Sequence, residues 1–348
     1  MGYTHFILLL AFFTLTYIFV ALARRYALAK HIIDIPNARS SHHMPTPRGG
    51  GIAVAAAFAI ACAVLPWAGY EYDIGVWTMF GCAIVIAIVG WVDDHRSLPV
   101  GARLVVHVAA ATIFLYVVGG LSVVMLGDDL VAIGAVGSLL AGLWITWSTN
   151  LFNFMDGSDG IAGVQALFVF IASAFLFLTL GADRIAWITM VLAAAVAAFL
   201  MWNWPPAKIF MGDVCSGFLG FLLIVLPLVD QALVPYELLP WLSLNILFII
   251  DATATLVRRA LRGEKIVVAH RTHLYQRMIQ AGLSHGQVAV GTVVINVCIV
   301  LPTVLYMHFI PSSQIAATLL LWTAGVIGWI LAIRKFEARA IARLTGAR

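Results

Sequence analysis

The stretch NLFNFMDGSDGIAG, residues 150–163, sets Asn150, Asn153, Asp156 and Asp159 at three-residue intervals in a chain that is 63% hydrophobic. Side chains at that spacing follow one side of a helix. Asp-Gly and Ser-Asp-Gly are ordinary turn formers, so the stretch reads as the polar end of a helix running into a bend at Gly157 and Gly160. A turn needs only one or two such side chains. Four oxygen-bearing groups at one helix end suit a hydroxyl-rich ligand or a metal-bound phosphate.

Other segments carry compatible chemistry. Asp93 and Asp94 stand at the end of an apolar run; on a helix they project about 100° apart, so they serve two different partners. Asp213 follows Gly212 and opens another apolar run. It reads as a helix N-cap, where free N–H groups and the positive end of the helix dipole also favour phosphate. His270 and His273, three residues apart, would share one face of a helix beside Arg271 and Arg277. With no cysteine or third histidine near them, zinc is disfavoured. Crowded at one partly desolvated surface, Asp93, Asp94, Asp156, Asp159 and Asp213 would repel and shift toward protonation unless cations hold them. Carboxylate and amide oxygens favour a hard divalent ion such as Mg²⁺, which takes one or two protein carboxylates and bridges substrate phosphates. Nearby Arg, Lys and His residues would hold the rest of a polyanion.

The elements that must position these groups are membrane spans. Mean hydropathy is +1.01 and only 10% of the 348 residues are charged, far below the roughly one quarter of soluble domains. Eleven stretches approach the ~20 apolar residues of a span: 5–23, 50–68, 74–92, 103–121, 131–149, 160–180, 184–202, 214–229, 237–256, 287–308 and 312–333. Alternating the loops puts all of the 20 basic residues except Arg184 on one side. The positive-inside rule then places the N-terminus outside and the C-terminus in the cytoplasm. The expected fold is therefore all-α, a single helical membrane domain over residues 1–348. Its cytoplasmic loops, 24–49, 93–102, 150–160, 203–213 and 257–286, carry the chemistry. The four cysteines imply no disulfide framework. A transporter would also combine many spans with intramembrane acids, but these acids lie at inner helix ends and no inverted repeat is visible. A non-catalytic scaffold would tolerate substitution in the inner loops.

Five segments in order, DIPNARSSHHMPTPRGGG, the pair Asp93-Asp94, NLFNFMDGSDGIAG, IFMGDVCSGFLG and HRTHLYQR, resemble the polyprenyl-phosphate N-acetylhexosamine-1-phosphate transferases. The resemblance runs from about Asp34 to Gln287. It implies transfer of an N-acetylhexosamine-1-phosphate from a UDP-sugar to polyprenyl phosphate at the cytoplasmic face of a bacterial inner membrane. UMP would be released, and the reaction would depend on Mg²⁺, with Mn²⁺ as a substitute. It implies metal ligation by Asp213 with Asp93 and Asp94, and catalytic roles for Asp93, Asp94, Asp156, Asp159, His270 and His273. It implies substrate binding by Asn150, Asn153, Phe210, Arg271, Arg103, Arg48 and His42, with Phe210 stacking on uracil. The implied partners are a UDP-N-acetylhexosamine, the polyprenyl phosphate lipid and the membrane, with no nucleic acid; a homodimer is compatible. Arg103 stands where family members commonly have Lys, and Cys215-Ser216 where they have Gly-Ser. His-Arg-Thr-His replaces the three consecutive histidines of the phospho-MurNAc-pentapeptide translocases. That departure favours initiation of an envelope polysaccharide such as O-antigen over peptidoglycan synthesis.

Overall fold

The computed structural model describes residues 3–36, 44–69, 71–229, 237–265 and 270–345. The first half comprises α1 (Tyr3–Ala29), β1 (Ile33–Asp34), β2 (Thr46–Pro47), α2 (Ile52–Val64), α3 (Ile74–His95), α4 (Val100–Val117), β3 (Val123–Leu126), β4 (Asp129–Ala132), α5 (Gly134–Met155) and α6 (Ile161–Thr179). The second comprises α7 (Asp183–Asn203), α8 (Asp213–Val229), α9 (Leu238–Leu244), α10 (Ile246–Leu261), α11 (Leu274–Gln280), α12 (His285–Ile295), α13 (Leu301–Phe309) and α14 (Gln314–Thr345). Two antiparallel hairpins, β1–β2 and β3–β4, interrupt the all-α expectation. Their strands have two and four residues, too short to show a periodicity against apolar flanks.

Each of the eleven expected stretches falls on a helix or helix pair, but they are not eleven equivalent spans. Among the described residues seven helices are long and apolar enough to cross a membrane, and the α9–α10 pair, bent by 76°, makes an eighth at most. The apolar helix Ile52–Trp67 and α8 fall short, since ~30 Å of hydrocarbon asks for about 20 residues. α5 is long enough, but Thr146, Ser148, Thr149, Asn150 and Asn153 make its second half polar.

α8 is apolar all round, and every residue from Val214 to Val229 is buried, the pattern of a central helix. α3, α5, α6 and α2 pack around it. At the α9–α10 break the carbonyl of Leu244 accepts from Gln165 Nε2 at 3.1 Å, so the buried backbone keeps its hydrogen bond, as hydrocarbon surroundings demand. Leu139, Leu140, Leu143, Leu319, Leu320 and Leu331 are exposed and form a lipid-facing exterior.

Side-chain contacts separate the two ends of the bundle. At one end Arg24 of α1 donates to the Lys208 carbonyl, and Glu337 of α14 pairs with Arg258 and Arg277. At the other, His5 of α1 stacks on Trp187, Arg184 meets Asp73 at 2.9 Å, and Gln314 accepts from Gly127 N. α1 therefore starts at the end opposite to the one where α14 finishes. Asp93, Asp94 and Asp213 lie at the end that α14 reaches.

Candidate active site

At the close of α3 the two aspartates do divide their partners. Asp93 accepts from Leu98 N at 2.6 Å and Arg103 Nη1 at 2.5 Å. Asp94 accepts from the backbone of Asp213 at 2.9 Å and Val214 at 3.1 Å, and pairs with Arg48 Nε at 2.8 Å. This corrects the reading of Asp213 as an N-cap and of its helix end as a free phosphate cradle. Asp213 is the first residue of α8, and the cap is a carboxylate reaching in from α3. The approach is close. A Cβ on Gly90 would stand 2.2 Å from the Asp213 carbonyl, and one on Gly212, at φ +82°, would stand 2.5 Å from Asp94 Oδ2.

Relieved of capping, the Asp213 side chain faces two guanidiniums. One oxygen accepts from Arg48 and the other from Arg103 Nη1, the latter at 2.9 Å. Arg48 follows β2, and Arg103 sits in the first turn of α4. Loop 49–51 is tied to the segment before α8 by Gly50 N to the Phe210 carbonyl and Gly51 N to the Met211 carbonyl, both 2.9 Å. Burial alone would lower the pKa of Arg48; Asp213, Asp94, Asp34 and Asp156 outweigh it and hold the guanidinium charged.

α5 brings the amides. Asn153 Nδ2 donates to Ser216 Oγ at 2.8 Å, and Asn150 Nδ2 to the Thr146 carbonyl at 2.7 Å. Asp156 is the C-cap residue of α5, and among the described residues no hydrogen-bond donor meets its carboxylate. Burial, then the charges of Asp213, Asp94 and Asp159, push its pKa well above the usual carboxylate range, against the pull of Arg48. Asp159 accepts from Ala207 N at 3.0 Å and lies 3.2 Å from His285 Nδ1, bracing the turn after α7. Four carboxylates thus crowd around two guanidiniums, with Asp159 one step outside.

The histidines depart from expectation. His270 is in irregular chain and His273 is the N-cap of α11, so they share no helix face; their rings still lie 4.9 Å apart. Burial, His273, Arg259 and Arg277 lower the His270 pKa to about 4, leaving a neutral imidazole at pH 7. Arg271 is exposed. Phe210 is half-buried, its backbone N donating to the Pro47 carbonyl at 2.8 Å. His42 lies outside the described residues.

Sequence reasoning missed Asp251. Buried in α10, it accepts from Leu274 N at 2.7 Å, Tyr275 N at 3.3 Å and Trp329 Nε1 at 3.0 Å, and its carboxylate lies 3.9 Å from His273 Nδ1. It therefore fixes the His270–His273 segment to the bundle. The signal was available: an ionisable residue inside an apolar span needs a partner.

A groove of about 1410 Å³ opens between α4 and α5. Arg103, Asn150, Asn153, Asp213, His270 and His273 line its charged end, and Leu104, Val108, Leu115, Leu139 and Leu143 line its apolar length. It is shaped for an amphiphile with an anionic head.

The donor set suits a divalent ion shared with a ligand. No group of three His, Cys, Asp or Glu residues poised to hold a metal forms among the described residues, and Mg²⁺ needs only one or two carboxylates when phosphates complete its shell. Asp93 and Asp94 are tied to backbone N–H groups as well as to an arginine. Asp156, half-buried and meeting no donor among the described residues, and Asp213, whose oxygens accept from the Arg48 and Arg103 side chains, are the groups such an ion would relieve.

Comparison with known proteins agrees with this chemistry. Residues 76–230 match the model of glycosyl transferase family 4. The probable undecaprenyl-phosphate N-acetylglucosaminyl 1-phosphate transferase of Bacillus subtilis is 28% identical over 77% of this chain and 75% of its own length. The decaprenyl-phosphate N-acetylglucosaminephosphotransferase of Mycobacterium tuberculosis is 29% identical, over 79% and 75%. The undecaprenyl-phosphate alpha-N-acetylglucosaminyl 1-phosphate transferase of Escherichia coli K12 is 28% identical, over 87% and 85%. Over residues 76–230 the chain is thus similar to glycosyl transferase family 4, and over most of its length to these N-acetylglucosaminyl 1-phosphate transferases.

Proposed function

We propose that the protein transfers an N-acetylhexosamine-1-phosphate from a UDP-sugar to a polyprenyl phosphate, releasing UMP, at the cytoplasmic face of a bacterial inner membrane. The observation that carries this reading is the continuity of the groove. Its apolar length suits a prenyl chain, and it ends on Arg103, Asn150 and Asp213, the groups that suit a phosphate and a phosphate-bound cation. The names of the relatives support the lipid acceptor.

In this mechanism the lipid phosphate attacks the β-phosphorus of the UDP-sugar. Arg103 holds the acceptor phosphate, and Arg48 faces the diphosphate from the opposite side of Asp213. The neutral His270 offers hydrogen bonding to the diphosphate without adding charge. Asp213 and Asp156 would hold Mg²⁺, which supplies charge stabilisation for the departing UMP, as metals do in other phosphoryl transfers. The protein's part is positioning and electrostatics. The sidedness expected from the sequence, with all of the 20 basic residues except Arg184 on one face, supports a cytoplasmic location.

The test is purified protein in detergent, incubated with undecaprenyl phosphate, Mg²⁺ and a panel of UDP-N-acetylhexosamines. UMP release that requires both lipid phosphate and nucleotide sugar is expected. Its absence for every sugar in the panel overturns the proposal, and solute movement without UMP release would replace it with a carrier.

A further inference from the structure

Four residues beyond Arg103 on α4 stands His107, on the same face and one turn deeper along the groove. It is only 8% exposed, interacts with Asn150 across on α5, and leaves Nδ1 without a hydrogen-bond partner among the described residues. The wall around it is Leu104, Val108, Ala111 and Leu115. An imidazole buried there with an unmet ring nitrogen is less stable than a leucine would be. None of the bonds that hold Asp93, Asp94 or Asp213 involves it. Its place is the level at which the groove changes from charged to apolar, where the phosphate of an amphiphile lying in the groove must sit. Arg103 cannot satisfy such a phosphate alone, because its Nη1 is already shared between Asp93 and Asp213, and a phosphate monoester presents several acceptor oxygens.

We infer that His107 binds the phosphate of the acceptor lipid. One ring nitrogen donates to a phosphate oxygen, Asn150 steadies the ring, and Arg103 supplies the countercharge from the neighbouring turn. This rests on the reading of the groove as the acceptor site. It gives His107 a task separable from the nucleotide-sugar: setting affinity for the phosphate ester over the corresponding alcohol.

The experiment uses the full chain in detergent, with farnesyl phosphate and farnesol as probes and His107→Leu and His107→Gln as variants. Wild type should bind farnesyl phosphate at least tenfold more tightly than farnesol. His107→Leu should lose about tenfold of affinity for the phosphate, the effect of one hydrogen bond to a charged group. Its farnesol affinity and its affinity for UDP-N-acetylglucosamine should stay unchanged, and its melting temperature should hold or rise. His107→Gln, which keeps a donor, should recover most of the loss. In turnover assays the KM for lipid phosphate should rise with the KM for UDP-sugar unmoved. Equal phosphate affinity in wild type and His107→Leu overturns the inference, and so does a parallel loss for phosphate and alcohol, which would mark a role in groove shape only. Failure of wild type to turn over any UDP-sugar would sink the proposed reaction while the binding comparison still decides the role of His107.

Discussion

Asp94 and Asp213 are both acidic and touch the same arginine, yet they should fail differently when neutralised. In Asp94→Asn the amide oxygen can still accept from the end of α8. Its NH₂, however, then confronts either a backbone N–H or the Arg48 guanidinium, donor against donor. One orphaned buried N–H costs about 1–3 kcal/mol. The lost pair with Arg48, whose side chain is 34% exposed, adds at most about 1 kcal/mol, and relief of repulsion from Asp213 opposes part of this. A net destabilisation of about 2–3 kcal/mol corresponds to a melting temperature lower by about 3–4 °C in a chain of this length. In Asp213→Asn the backbone N–H groups of Asp213 and Val214 keep Asp94 as acceptor, so melting should move by no more than about 2 °C. Turnover should nevertheless be lost, because the carboxylate facing Arg48 and Arg103 is gone. Thermal melting of the purified variants, paired with UMP release under saturating Mg²⁺, reads both effects. A wild-type melting temperature for Asp94→Asn would refute the cross-helix cap, and turnover by Asp213→Asn would refute the role assigned to its charge.

Asp251→Asn should loosen α11, lower the melting temperature by several degrees and raise the KM for UDP-sugar; unchanged kinetics would show that the His270–His273 segment holds itself. The folded pKa of His270, about 4, lies below its unfolded value of about 6.5, so the unfolded chain binds the proton first. Stability should therefore be fully present above pH 6.5 and fall as pH drops from 6.5 toward 4; His270→Gln should flatten that part of a melting-versus-pH curve. Leu143→Trp, a bulky change on the apolar wall of the groove, should raise the KM for lipid phosphate and leave that for UDP-sugar alone. Removing divalent ions with a chelator should stop turnover, and Mg²⁺ should restore it; activity that persists in excess chelator would remove the metal from the mechanism.

What could be read from the sequence was whatever depends on local spacing. Asp93 and Asp94 had to diverge because adjacent helical residues project in different directions, and they do. The apolar stretches fixed where helices run, because hydrocarbon permits little else. Legibility ended where a group's task depends on a neighbour distant in sequence. Asp213 has the local signature of a cap, but Asp94, 119 residues earlier, already satisfies those N–H groups. His270 and His273 have helical spacing, but Asp251 starts the helix at Leu274 by taking its first N–H groups. The same logic accounts for α2 and α8. A window of apolar residues cannot distinguish a helix that faces lipid from one sheathed by protein, and only the lipid-facing helix must match the membrane's thickness. α8 is short because α3 and α5 enclose it, and that enclosure brings its first residue, Asp213, to the level of Asp93, Asp94 and Asn153. The central helix of the bundle thus presents an acid between two arginines at the mouth of the lipid-shaped groove.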